Sequence, residues 1–514
     1  MLFFISLLVV FALLGFYKVM FLRPQSIHQW AQCDRASVAL NYAADDMNFF
    51  LPRVHNCRDK TGITGLEFPI MNYAAAVCYK IFGFNEFWYR FLMLVTISGA
   101  LILAFRFARD YLKSIYLALL GVLLWYLSPV LNYYSPNFVP DTASLAFGVM
   151  SWMLFFKLAE SFSYKRLLYW FVCITLSSLI KVTSAISIVA VLCLLFLDYF
   201  RWFGLKRTIK KHWLIILFSF GSMLLVFAWY AWAQYITTKY EARYFAQTIV
   251  TVSSFEEFLK VWKGIKDLWL DYYYNWLMYA AFGVFFILNL IFIKRTNILV
   301  TLAMLLLIAG NMFVLALFFK QFDVHDYYII ILLLPFLLLI IQSLKIVSTF
   351  DVKWLRYLSV GIITILFLYS LWFSMRHQRT RYYGWMGQQT YCGDHMILEP
   401  QLRALGIKHS DKVFSMYDCS LNISLYLMNQ KGWIAYYSDS EDYFEKAIHD
   451  CKYAVVTDMD TLMAKPYKKY FRKMLKRVGG LFVFELSHTP LPDSLILTKE
   501  KLIGNLHYSC SLEK

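Results

Sequence analysis

The stretch HQWAQCDRASVALNYAADDMNFFLPRVHNCRDKTGITGLEFPIMNY, residues 28–73, decides how the chain is read. Strongly apolar sequence flanks it on both sides, and it is the longest polar interruption before residue 235. It gathers Asp34, Asp45, Asp46, Asp59 and Glu67. Acids so close to a bilayer are costly unless they have work or partners. This loop is therefore the first place to look for chemistry.

Composition supports a bilayer on either side of it. Only 16% of the 514 residues are charged, against about 25% in a soluble domain. That excludes a purely soluble enzyme. The formal net charge is +17. Lys and Arg sit mainly in short loops between apolar runs, the mark of cytoplasmic loops, and no nucleic-acid motif accompanies them. The nine cysteines form no CxxC spacing, which argues against zinc, and the sequence assigns no disulfide. Residues 2–22 are long enough to span and lack a basic n-region or cleavage site, so they read as a first helix rather than a signal peptide.

Eleven spans are expected, at about 2–22, 88–108, 114–130, 138–156, 167–181, 183–200, 213–234, 274–293, 297–319, 327–344 and 357–374. Alternating them puts Arg106–Lys113, Lys165–Arg166, Arg201–Lys211, Lys294–Arg295 and Lys345–Arg356 on one side, which the positive-inside rule makes cytoplasmic. The other side receives 23–87, 131–137, the 181–183 turn, 235–273, 320–326 and everything after 375. Nearly all the suggestive polar residues fall on that side. They are Asp34 and Glu67 in the first loop, Asn137 and Asp141 in YYSPNFVPD, Lys181 in SLIKVTS, Arg243, and His325, Asp326, Tyr327 and Tyr328 in DVHDYY. Separated segments that deliver polar groups to one face predict a functional site at the non-cytoplasmic surface.

Helical spacing is visible in Asp34–Met47, in 70–82, and in the 235–273 loop at Phe255, Phe258, Val261 and Trp262; all three suit helices lying in the interface. Glu256, Glu257, Lys260 and Lys263 are expected to face water. Residues 376–514 read as a small extracytoplasmic α/β domain. KVFSMY, WIAYY, YAVVTD and LFVFEL are its strands, and SLNISLYLMNQ, EDYFEKAIHD and KPYKKYFRKMLKRV its helices. The expected fold is a polytopic α-helical membrane protein, residues 1–375, with first loop 23–87, followed by that domain.

HQWAQCDRASVALNY, the later PRV, GLEFPIMNY and IFG resemble the first extracytoplasmic loop of GT-C glycosyltransferases, in the branch of the protein O-mannosyltransferases and the lipid A aminoarabinose transferase. SPNFVPD, the Lys of SLIKVTS, and HDYY before a Pro-containing span resemble it too. The likeness covers about residues 1–375. The branch usually has an Asp-Glu pair where this chain has Cys33-Asp34-Arg35, and its aminoarabinose enzymes have a Lys that Glu67-Phe68-Pro69 lacks.

The resemblance implies an inverting transferase. It would move a sugar from a polyprenyl-phosphate donor to a glycan, lipid or protein acceptor at the extracytoplasmic face of the plasma (inner) membrane. It makes Asp34 the expected base, with Glu67 beside it as organiser. Lys181 and Arg243 become expected phosphate ligands, His325 a third donor, and Asn137, Asp141 and Tyr328 further substrate contacts. A divalent cation such as Mg²⁺ or Mn²⁺ would suit the acids, but no spaced ligand motif places one. Each residue also has a plainer reading. Asp34 and Asp141 suit helix N-caps. Glu67 suits a pair with Arg53 or Arg58, and Lys181 a snorkelling cation. His325 suits an interfacial histidine, and the Tyr pair an aromatic belt. Competing functions are a flippase of lipid-linked sugars, a glycan polymerase or ligase, and a membrane scaffold. A flippase is disfavoured because no internal repeat is visible.

Overall fold

The computed structural model describes residues 1–58, 61–205, 209–242, 251–385, 392–418, 420–436 and 439–496. Its contacts divide the chain into two units. The first is Met1–Arg23, Leu66–Gln234 and Phe245–Gly387; the second is Pro24–Gly65, Tyr235–Tyr244 and Gln388–Lys514.

The first unit is helical. Among the described residues, seven helices are long and apolar enough to cross a membrane: Glu86–Leu112, Asp141–Glu160, Val182–Tyr199, His212–Lys239, Ile298–Asp323, Asp326–Ser348 and Lys353–Tyr383. Shorter apolar helices occupy Leu2–Leu13, Ile70–Phe82, Ile115–Tyr126 and Trp276–Ile291. Phe220, Leu224, Phe227, Ile362 and Ile365 all point outward. Apolar surface on that scale belongs in lipid, and the chain is an integral membrane protein. The expected first span does not run unbroken to residue 22. Its helix stops at Leu13 and resumes at Phe16, because Gly15 adopts φ +76, a conformation glycine enters without steric cost.

Small polar residues let two of these helices approach closely. Ser144 Oγ donates to the Ser177 carbonyl and Ser177 Oγ to that of Ser144, each at 2.8 Å. A Cβ on Gly148 would meet Ser177 Oγ at 3.2 Å. This contact brings the start of Asp141–Glu160 beside the end of Tyr164–Ile180.

The second unit carries a five-stranded sheet in the order β2-β1-β3-β5-β4, with β1 Val413–Met416, β2 Gly432–Ala435, β3 Tyr453–Val456, β4 Phe471–Val478 and β5 Leu481–Leu486. β1, β2 and β3 are parallel; β5 pairs antiparallel with β3, and β4 antiparallel with β5. Alternation feeds two cores. Phe414, Met416, Phe484 and Leu486 pack with Phe444, Ala447 and Ile448 of the helix Glu441–Asp450. Val413, Val455, Leu481 and Val483 pack with Leu398 and Leu402 of Leu398–Ala404.

KPYKKYFRKMLKRV is not a helix. Pro466–Tyr470 is a short 3-10 turn and Phe471–Val478 is an edge strand. Gly479, at φ +58, turns it back into β5, and two register shifts absorb its irregular pattern. Arg472, Lys473 and Arg477 project into solvent, and basic residues of that kind discourage edge-to-edge pairing.

First-loop residues add to this sheet. Asn56 bridges to Gly432, Cys57 N–H donates to the Gly432 carbonyl at 2.7 Å, and Gly432 N–H donates to that of His55 at 3.1 Å. A Cβ at Gly432 would sit 1.8 Å from the Val413 carbonyl oxygen, so only glycine fits there.

Candidate functional site

In the first unit the site is built around a helix break. Tyr164–Ile180 ends as Lys181 turns extended (φ −143, ψ 111), and a 3-10 turn, Val182–Ala185, leads into the next helix. The break is braced by hydrogen bonds. Phe68 N–H donates to the Leu179 carbonyl, Val182 N–H to Tyr230 Oη, and Trp229 Nε1 to the Leu66 carbonyl. Phe68 packs edge-on against Trp229 at 4.9 Å. Residues 66–68, including half-buried Glu67, are thereby held beside Lys181. Glu67 and Asp141 both lie within electrostatic reach of the Tyr230 hydroxyl.

Lys181 is 9% exposed. Its Nζ lies 3.0 Å from Asp141 Oδ1, 4.5 Å from the centre of the Tyr328 ring and 5.7 Å from that of Tyr327. A snorkelling lysine would keep its ammonium in water; this one is enclosed by a carboxylate and two ring faces. Asp141 makes no capping bond, and Pro140 occupies the N-cap. His325 stacks on Tyr328 at 5.0 Å and 15°. Its Nδ1 lies 3.1 Å from the Gln321 carbonyl oxygen, which can only accept, so Nδ1 carries the proton. Glu67, Asp141, Lys181, His325 and Tyr328 therefore come together from four separated segments. Asn137 belongs to the same unit, where its Oδ1 accepts the Phe138 N–H and closes a tight turn. Arg90 fixes that turn from beneath, donating to the carbonyls of Pro136 and Leu22 with its guanidinium over Phe138.

Asp34 belongs to the second unit. It is 4% exposed and sits in the second turn of Gln29–Ala44, so it is not an N-cap. That helix is tied to the C-terminal residues through His55. The His55 ring meets Ser37 Oγ and Asn41 Nδ2 on one nitrogen and Asn429 Oδ1 on the other. Lys431 pairs with Asp45 at 2.5 Å. Arg53, a partner considered for Glu67, pairs with Asp46, and the Arg58 guanidinium lies 4.3 Å from the Tyr443 ring centre. Asp34 lies within electrostatic reach of Tyr436: burial, then Asp418, Asp34 and Asp439, push the Tyr436 hydroxyl up to about 12, against Arg58. Arg243 lies outside the described residues. Among those described, no three His, Cys, Asp or Glu side chains cluster as a metal site.

One functional-looking residue escaped the sequence reading. Arg381 is fully buried and paired with Asp326, itself fully buried. The last apolar run reads as ending at 374, but its helix continues to Tyr383. Ser370, Ser374, Gln378 and Arg381, spaced three or four apart and all buried, were the available signal.

Comparison with known proteins fits this architecture. The family model for dolichyl-phosphate-mannose-protein mannosyltransferase matches residues 67–232. ArnT from Cupriavidus metallidurans in the apo state superposes with a TM-score of 0.58 at 11% identity, covering 97% of this chain and 98% of that one. The same protein bound to undecaprenyl phosphate gives 0.55 at 11% identity, covering 93% and 97%. No curated protein matches the sequence. At such low identity the likeness speaks for the fold, and over nearly the whole of both chains this one has the fold of the GT-C membrane glycosyltransferases.

Proposed function

We propose that this protein transfers a sugar from a polyprenyl-phosphate donor to a hydroxyl or amine acceptor at the extracytoplasmic face of the plasma (inner) membrane. The observation that carries the reading is the enclosed Lys181 ammonium, beside Asp141 and the His325–Tyr328 stack. A buried cation backed by a carboxylate is suited to a phosphate that gains negative charge as its bond to carbon breaks. ArnT, the structural relative, is described as binding undecaprenyl phosphate. The matching family model names a dolichyl-phosphate sugar.

In the proposed step the acceptor oxygen or nitrogen attacks the anomeric carbon from the face opposite the phosphate. The carbon–oxygen bond to phosphate breaks, the electron pair leaves with the polyprenyl phosphate, and the configuration inverts. The acceptor's proton passes to a carboxylate, for which Asp34 is the assigned base. Glu67 is the carboxylate held beside Lys181 in the first unit and is assigned to organising the substrate there. Mass spectrometry of cell-surface glycans and glycolipids, with and without the protein, tests the reading: loss of one defined sugar modification is expected. An unchanged profile, with purified protein that moves a lipid-linked sugar across vesicles without cleaving it, would make it a flippase.

A further inference from the structure

The segment that presents His325 and Tyr328 is held by 3-10 rather than α-helical backbone hydrogen bonds. Phe319–Asp323 and Asp326–Leu333 are both 3-10, separated at Val324 and His325. Such helices bond less well than α-helices and are unusual over so many residues. Side-chain contacts from other elements add to what fixes the two rings.

Asp326 lies between His325 and Tyr327, and both its oxygens are engaged. Oδ1 accepts from Tyr134 Oη at 2.8 Å, and Oδ2 accepts from Arg381 Nη2. The Arg381 guanidinium lies 4.5 Å from the Tyr133 ring centre and 4.9 Å from that of Tyr272. Tyr134 also packs edge-on against Tyr327 at 5.6 Å, and Tyr327 in turn faces Lys181. A fully buried ion pair adds little net stability over apolar residues of the same size, because both charges lose their water. What it does supply is one arrangement: a carboxylate with two directional donors cannot slip by half a turn without leaving a charge unpaired.

We propose that Arg381 and Tyr134, acting through Asp326, are positioning residues for the donor phosphate. They hold the 325–328 segment where His325 and Tyr328 meet the Lys181 ammonium. The inference rests on the reading of Lys181 and His325 as the phosphate site, and it joins to that site the end of the last membrane helix.

The test uses the full chain in nanodiscs, with affinity for undecaprenyl monophosphate and melting temperature measured together. Lys181→Ala marks the phosphate site itself. Arg381→Gln is expected to weaken binding about tenfold, the loss of one charge-assisted hydrogen bond transmitted to the site. Tyr134→Phe removes only a hydroxyl and is expected to cost about threefold. Arg381→Lys keeps the charge and is expected to recover most of the affinity lost in Arg381→Gln. Unchanged binding by Lys181→Ala overturns the phosphate reading and this inference with it. Weakened binding by Lys181→Ala, alongside unchanged affinity in the Arg381 and Tyr134 variants, overturns this inference alone, even if their melting temperatures fall. Should Arg381→Gln fail to fold, Tyr134→Phe decides by the same criterion.

Discussion

Lys181 and Asp141 were each visible as lone charges in apolar sequence, but their pairing was not. The two lie forty positions apart, and only the serine-lined contact between their helices brings them to 3.0 Å. The pair allows structure and function to be separated. Removing one partner leaves a buried charge uncompensated, at about 3–5 kcal/mol, whereas replacing both by apolar residues is often near neutral. Asp141→Leu alone should therefore lower the melting temperature strongly, and the Lys181→Met/Asp141→Leu double variant should recover it while glycosyl transfer stays lost. Recovery of transfer along with stability would reduce the pair to packing. Lys165→Ala, in the loop assigned to the cytoplasmic side, is expected to leave transfer unchanged and serves as the control. The N-cap reading of Asp34 was reasonable from RASVAL but fails because the helix begins five residues earlier, at Gln29.

At the scale of elements, long apolar helices and strands β1, β2, β3 and β5 were legible because their periods are clean. β4 was not, since its spacing of Phe471, Met474, Leu475 and Val478 imitates a helix; the Gly479-Gly480 pair was the overlooked hairpin sign. The helix Phe255–Leu268 was foreseen, and Glu257, expected to face water, pairs with Lys320 at 2.6 Å. Its Gly264 lies so close to Asp323 that a Cβ would meet Oδ1 at 1.8 Å. Gly264→Leu should overpack this contact, at about 1–3 kcal/mol, and speed amide exchange across 255–268 while leaving 186–199 alone. Equal exchange in variant and parent would show the contact to be slack. In the second unit, burial pushes the His395 imidazole down to about 4, against Asp418 and the Cys392 carbonyl. Between that value and the ordinary 6.5 the unfolded chain binds more protons than the folded one, so stability falls as pH falls. Once intrinsic rates are divided out, the protection of strands β1–β5 should be lower at pH 5 than at pH 7 by on the order of 2 kcal/mol. His395→Leu should flatten that difference; a slope untouched by the substitution would assign it to other groups.

At the scale of the whole molecule, the membrane character, the GT-C likeness and the order of the motifs could be read directly, because a bilayer imposes long apolar runs and charge asymmetry on a sequence. The clustering of residues 24–65 with the C-terminal residues could not be read, since contacts such as Asn56 with Gly432 leave no local periodicity. Sidedness is testable on the intact protein. In a background lacking Cys33 and Cys57, cysteines placed at exposed Phe50 and Arg472 should react with a membrane-impermeant thiol reagent once the outer barrier is opened, and one at Lys210 should not. The reverse pattern would invert the topology and remove the basis for an extracytoplasmic site. The central claim, transfer from a polyprenyl-phosphate donor with Asp34 as base, meets its most direct test in one assay: release of polyprenyl phosphate from a sugar donor by the purified protein and by Asp34→Asn. Asparagine keeps the size of the side chain and removes its basicity. The account predicts turnover by the parent, and a folded variant that still binds donor but loses about 10²–10⁴-fold in rate. A folded Asp34→Asn protein that releases polyprenyl phosphate at the parent's rate would contradict it.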